Sequence, residues 1–129
     1  MDKKIQVLLV DDESDFRQLM TFWLESKGYE VITAPEGRTA VEIVKQKAPD
    51  LVLLDIRMPL MDGVDTLKKI REFNKELPII LISAYIHDPK TKDILSYGVS
   101  GVFYKAKNFE EMLPLLESAL RTHIKLRKK

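Results

Sequence analysis

Cysteine is absent from this sequence and histidine occurs only as His87 and His123. There is therefore no disulfide framework, no thiolate metal site and no thiol nucleophile, and an imidazole-rich zinc site lacks its ligands. Any metal should be a hard cation held by oxygen. No apolar run approaches the ~20 residues of a membrane span, and residues 1–4 lead straight into a strand-like run without a signal peptide's apolar stretch. The chain reads as cytoplasmic, with no membrane contact. Charge of one sign is not in excess: 21 Lys and Arg face 20 Asp and Glu, for a net charge of +1. Bulk electrostatics thus selects neither nucleic acid nor an acidic surface as partner. The five glycines form no P-loop and no dinucleotide-binding pattern. Asp11, Asp12 and Asp15 lack the spacing and central glycine of an EF-hand.

What is present fits one ordinary globular domain. The chain has 129 residues, 45% of them hydrophobic and 32% charged, near the commonest domain size and enough for a real core. Five short apolar runs recur, at residues 5–10, 29–34, 51–54, 79–82 and 101–104. Three are nearly continuous Val, Ile and Leu, the pattern of parallel strands covered on both faces. Segments of helical period separate them. Residues 14–27 put Phe16, Met20 and Trp23 on one stripe, with Ser14 as the N-cap and Gly28 as the stop, while Val64, Leu67, Ile70 and Phe73 mark another helix. Phe109, Met112, Leu113, Leu116, Leu120 and Ile124 mark a long last helix from about Asn108. Pro114 requires that helix to start late or to kink. Strict strand–helix alternation predicts a doubly wound α/β fold, a five-stranded parallel sheet with helices on both faces. The domain is expected over 1–126, with 127–129 as a basic tail whose charges suit a solvated helix end.

Ligands in such sheets bind beyond the carboxyl ends of the strands. There the sequence is strongly polar. Asp11, Asp12 and Glu13 follow the first run, Asp55 the third, Ser83 the fourth and Lys105 the fifth; only the second ends blandly, in Ala34 and Pro35. Each taken alone has a plainer reading, since acidic pairs often just favour a helix N-terminus. Brought together, these carboxylates repel one another unless cations offset them; Lys105 supplies one charge and a divalent ion two more. An all-oxygen donor set favours Mg²⁺, held by one or two carboxylates together with a phosphate.

These residues resemble a known family, the receiver domains of bacterial two-component response regulators. The likeness rests on Val10-Asp11-Asp12-Glu13, on the run from Leu53 through Asp55-Ile56-Arg57-Met58-Pro59-Leu60-Met61-Asp62-Gly63, on Ser83-Ala84 and on Lys105, in order and each at a strand end. It implies a flavodoxin-like sheet of order 2-1-3-4-5. It implies that Asp55 accepts a phosphoryl group and that Asp12 binds Mg²⁺ directly. Asp11 would assist through water, and the Arg57 backbone carbonyl would complete the metal's protein ligands. Ser83 and Lys105 would hold the phosphoryl oxygens. The donor would be the phosphohistidine of a sensor histidine kinase or phosphotransfer protein, and the recipient a downstream protein partner or output domain. The domain would contact no nucleic acid directly. It would be no enzyme beyond assisting its own phosphorylation and dephosphorylation.

Two positions depart from the family pattern. Where the family has Tyr or Phe three residues before the lysine, this chain has Val102, with Phe103 and Tyr104 beyond it. Neighbouring strand residues face opposite sides, so neither aromatic takes over that role directly, and Tyr85 is the candidate to share it. Where the family has a cis proline after the lysine, this chain has Ala106. A cis bond before a non-proline residue costs about 3 kcal/mol, so a trans bond and a reshaped 105–108 loop are expected. Arg57 and Tyr85 flank the acceptor and are expected to shield a phosphoryl group from water. His87 and His123 read as surface residues, and an exposed Phe22 or Trp23 would mark a partner surface. A phosphatase is disfavoured, because Asp55-Ile56-Arg57 lacks a second aspartate two residues on. A pseudo-receiver, a binding module never phosphorylated, is the alternative that Val102 and Ala106 keep open.

Overall fold

In a computed structural model of the protein, residues 4–85 and 87–127 are described, with side chains through Arg121. The side chains of His123 and Ile124, and residues 128–129 of the expected tail, lie outside that set. The strands are β1 (Gln6–Val10), β2 (Glu30–Ala34), β3 (Leu51–Asp55), β4 (Ile79–Ser83) and β5 (Gly101–Tyr104). Between and after them run α1 (Ser14–Ser26), α2 (Gly37–Lys47), α3 (Gly63–Phe73), the short α4 (Lys90–Leu95) and α5 (Met112–Arg127). All four strand pairings are parallel, in the order β2-β1-β3-β4-β5. This is the doubly wound fold expected.

The near-continuous apolar strands bury both faces, and alternate residues divide between two cores. Leu8, Val10, Val52, Leu54, Ile79 and Leu81 pack toward α2, α3 and α4. Val7, Leu9, Leu51, Leu53, Ile80 and Ile82 pack toward α1 and α5. The same alternation separates Val102, which meets the first core, from Phe103, buried in the second. Phe103 therefore lies on the face opposite Val102, against the ring of Phe109 at 6.2 Å.

Helix ends follow local chemistry, with two departures from expectation. Ser14 is the first residue of α1 and not its cap; Glu13 holds the cap position without a side-chain bond. The cause lies upstream: Asp11 Oδ1 accepts the Glu13 N–H at 2.8 Å, and Arg17 N already bonds Glu13 O, so the turn is set one residue earlier. Gly28, at φ 96°, ends α1 as expected. A 3₁₀ turn over Phe109–Glu111, capped by Asn108, precedes α5. Pro114 thus stands in the first turn of α5, where its missing N–H costs no helical bond. The helix starts late and needs no kink there. On α3, Phe73 is the one member of its stripe left substantially exposed, with Lys45 Nζ 5.4 Å from its ring centre.

Arg71 joins three segments. Its guanidinium donates to the carbonyls of Tyr97, Asn74, Leu77 and Gly98 at 2.7–3.1 Å, tying the end of α3 to the entry of β4 and the turn after α4. Arg71→Met leaves those carbonyls without this donor, and should cost about 2 kcal/mol in denaturant unfolding. Amide exchange should quicken at residues 97–100.

Candidate phosphoryl and metal site

β1 and β3 are neighbours in register Val10↔Leu54, so the next residue of each, Asp11 and Asp55, emerges side by side at the carboxyl edge of the sheet. Oxygens of Asp11, Asp12 and Asp55 all lie within 4.8 Å of one another. Asp11 and Asp55 are buried while Asp12 is exposed. Ser83 ends β4 on the other side of β3, and the Lys105 N–H donates to Ser83 O at 2.9 Å, which starts the lysine's side chain at the same edge.

Lys105 Nζ reaches back across the site. It lies 2.9 Å from Asp11 Oδ2 and 3.5 Å from Asp55 Oδ2, and pairs closely with Glu13 Oε1. Its ammonium also sits 4.8 Å from the centre of the Phe16 ring. Burial alone would lower the Lys105 pKa, but the contacts with Glu13 and Asp11 and the charge of Asp55 hold it above the usual lysine range. It is a fixed cation at any physiological pH.

One cation does not balance this site. Burial, then the charge of Asp11, pushes Asp55 up to about 7; Lys105 and the Arg57 N–H, 3.2 Å from Asp55 Oδ1, oppose that rise, and Asp12 adds to it. Asp11 Oδ2, although at ion-pair distance from Lys105, lacks a hydrogen-bond partner among the described residues. A buried oxygen left open beside two more carboxylates fits a hard divalent cation. Asp11, Asp12 and Asp55 are the side chains that could hold it.

The pH dependence follows from the sign of the Asp55 shift. A carboxyl whose pKa is raised on folding adds no burden when it is protonated in both states. Destabilisation grows as pH rises above its unfolded value and is complete above the folded one, about 7. In metal-free protein Asp55→Asn should therefore raise stability at pH 8 by ~2 kcal/mol, after halving the shift for solvent screening. The gain should vanish near pH ~4, the ordinary carboxylate range. Denaturant midpoints across that range, with EDTA present, test it; a gain independent of pH would contradict the assignment.

The remaining expected residues occupy the rim. Ser83, almost fully buried, donates from Oγ to Tyr85 O at 2.7 Å and accepts the Tyr85 N–H at 3.1 Å. Tyr85 is 64% exposed, and Arg57 directs its guanidinium to Asp88 Oδ2 and Oδ1 at 2.7 and 2.8 Å. Arg57, Tyr85 and Asp88 line a cleft of about 300 Å³ together with Asp55, Ser83 and Lys105. The Lys105–Ala106 peptide is trans, and Lys107 N bonds Tyr104 O at 2.9 Å, so the chain turns tightly in the expected loop. His87 is exposed, as expected of a surface residue, and Phe22 is 77% exposed while Trp23 is half-buried.

Glu13, Phe16 and Asp88 belong to this site as well, although residue order assigns Phe16 and Asp88 no part in it and Glu13 no partner. Glu13 stands in the Asp-Asp-Glu run and could have been weighed as a partner for Lys105. Nothing local marks Asp88, whose partner lies 31 residues away.

Comparison with known proteins places these observations. The family described as response regulator receiver domain matches residues 7–117. The transcriptional regulatory protein ZraR of Escherichia coli O157:H7 is 36% identical over 121 residues, 93% of this chain and 27% of the relative. The regulatory protein AtoC of Escherichia coli K12 is 34% identical over 116 residues, 90% of this chain and 25% of its own. The chain thus spans about a quarter of the length of these curated relatives. Among solved structures, the Vibrio cholerae chemotaxis protein CheY4 superposes with a TM-score of 0.82 at 30% identity, covering 92% of this chain and all of that one. NtrX from Brucella abortus superposes with a TM-score of 0.90 at 29% identity, covering 98% of this chain and 29% of that one.

Proposed function

Since this chain belongs to the response regulator receiver domain family, we propose that it is a signalling receiver that takes a phosphoryl group onto Asp55. The observation that carries this reading is the convergence of three carboxylates on one point with Lys105 Nζ 3.5 Å from Asp55 Oδ2. A phosphohistidine donor, on a sensor histidine kinase or a phosphotransfer protein, supplies the group. The N–P bond breaks as an Asp55 carboxylate oxygen forms the new O–P bond, and the departing imidazole takes a proton. Reversal of the signal is hydrolysis: water attacks phosphorus, the O–P bond breaks, and the carboxylate and inorganic phosphate are restored.

Transfer of this kind is mostly alignment and neutralisation of phosphoryl oxygens. Asp55 must be ionised to attack, and its raised pKa makes neutralisation of the surrounding carboxylates part of activation. Asp11, Asp12 and Asp55, with the Arg57 carbonyl, would hold Mg²⁺, which when bound supplies two positive charges to the carboxylates and a phosphoryl oxygen. Lys105 neutralises another oxygen. The Ser83 hydroxyl, which now donates to Tyr85 O, would exchange that acceptor for a phosphoryl oxygen and draw Tyr85 with it. Tyr85 thereby couples the site to a surface read by a downstream protein partner or output domain. The setting is cytoplasmic, and no helix among the described residues is long and apolar enough to cross a membrane.

Incubation with a small phosphodonor and Mg²⁺, followed by intact mass, tests the reading. The wild type should gain one phosphoryl group and Asp55→Asn none. A wild type that gains nothing under these conditions would make the chain a pseudo-receiver, a binding module that keeps the fold alone.

A further inference from the structure

Two ion pairs of opposite polarity join the loop after Asp55 to the start of α4. Arg57 binds Asp88 through Nε and Nη2 at 2.7 and 2.8 Å, and Asp62 binds Lys90. They differ in burial. The Asp88 side chain is 1% exposed and that of Arg57 51%, so a buried anion depends on a cation that is itself half in solvent. Besides Arg57, the Asp88 carboxylate receives only the Lys90 N–H, at 3.0 Å, among the described residues.

The cleft over Asp55 has two cationic side chains among the residues that line it, Lys105 and Arg57. Lys105 is already shared by Asp11, Asp55 and Glu13. A phosphoryl group brings roughly −1.5 to −2 of charge and three acceptor oxygens. A guanidinium grips such oxygens through two parallel N–H bonds, the geometry Arg57 now presents to Asp88.

We propose that Arg57 is a two-position cation: Asp88 holds it in the unphosphorylated chain, and a phosphoryl group on Asp55 takes it, releasing the start of α4. The proposal rests on Asp55 being the phosphoacceptor. Its consequence comes from the loss of that partner. Once Arg57 leaves, the Asp88 carboxylate loses the guanidinium that covers it and keeps a single backbone donor, an arrangement that favours its movement into water. α4 is well suited to follow. It has six residues and buries only Ile94, so few apolar contacts resist its displacement. The Lys90–Asp62 pair limits how far it moves. Phosphorylation is thus read at α4 through charge, without an aromatic at position 102.

The test is a double-mutant cycle on the intact chain with beryllium fluoride and Mg²⁺ as the phosphoryl mimic, affinity being followed by amide NMR shifts. Asp88→Asn frees Arg57 and should tighten binding about tenfold, and Arg57→Met should weaken it to a similar extent. In the Arg57→Met background, Asp88→Asn should do nothing further. Equal tightening by Asp88→Asn with and without Arg57 would reduce the effect to removal of a nearby negative charge and overturn the proposal. A second readout is the amides of residues 91–95, which should move when the adduct forms in the wild type and scarcely move in Arg57→Met. Equal movement in both overturns it as well, and this arm decides alone if Asp88→Asn does not fold. Absence of any adduct in the wild type would instead bring down the phosphoacceptor reading, and this proposal with it.

Discussion

If Asp55 is the phosphoacceptor proposed above, Lys105→Met should slow its phosphorylation from a small phosphodonor by about 10²–10³-fold, the loss typical when one preorganised group that stabilises developing charge is removed. Methionine keeps an apolar chain of similar length and removes the ammonium, with its contacts to the acids and to the Phe16 ring. That ammonium stands 3.5 Å from Asp55 and 2.9 Å from Asp11, so its loss also leaves two buried carboxylates without their protein counter-charge. Breaking one partner of a buried pair costs about 3–5 kcal/mol, and the metal-free variant should be weakened accordingly at neutral pH. Two measurements separate the effects: the rate of mass gain at saturating Mg²⁺, and denaturant midpoints with and without Mg²⁺. Added Mg²⁺ should restore most of the stability and little of the rate. Full recovery of the rate would mean that Lys105 only offsets charge in the resting site and does not act on the incoming group.

Gly63→Ala should remove about 3–5 kcal/mol of stability, although a single methyl group is all that is added. A Cβ there would stand 2.4 Å from Asp55 O, 2.7 Å from Ile56 Cα and 2.9 Å from Ile56 O. All three are backbone atoms, which cannot swing aside as a side chain can. Gly63 N also donates to Ile56 O at 2.8 Å, so the start of α3 rests directly on the backbone of Asp55 and Ile56. Whatever fraction folds should therefore hold Asp55 out of place and take up the phosphoryl group slowly. Gly98→Ala is the contrast. Its Cβ would meet nothing within 4 Å, and only the positive φ of 75° is strained, for about 1 kcal/mol. Thermal or denaturant unfolding of the two variants side by side checks the difference; equal losses would refute the contact argument.

Much of the fold could be read from residue order. Continuous Val, Ile and Leu runs of strand length, with amphipathic segments between them, require a parallel sheet covered on both sides, and that sheet is present. The strands end within a residue or so of the apolar runs, because apolar periodicity stops where solvent begins. The discrepancies are those that local pattern cannot resolve. Ser14 looked like a cap because it has the right side chain, but Asp11 had already set the turn. Pro114 could be read as a kink or a late start, and only the 3₁₀ turn at Phe109–Glu111 decided between them.

The candidate site divides in the same way. Asp11, Asp12, Asp55, Ser83 and Lys105 could be named from sequence because each directly follows or ends an apolar run, and parallel strands bring such positions to one edge. Glu13 and Lys105 are 92 residues apart, and Arg57 and Asp88 are 31 apart. No periodicity encodes either pair, since each depends on how far one side chain reaches across neighbouring strands or loops. The raised pKa of Asp55 is likewise a property of depth and neighbours, not of residue type.

The sequence by itself thus determined the α/β alternation, the double-faced sheet and the set of acids, hydroxyl and lysine at its carboxyl edge, since these follow from local periodicity and chain direction. The tertiary structure alone decided which cation neutralises which anion, how tightly α3 sits on the backbone of Asp55 and Ile56, and that Arg57 turns toward Asp88 from the mouth of the site. Those outcomes are set by distances of a few ångströms between segments remote in the chain, where burial makes each charge depend on the partner within reach.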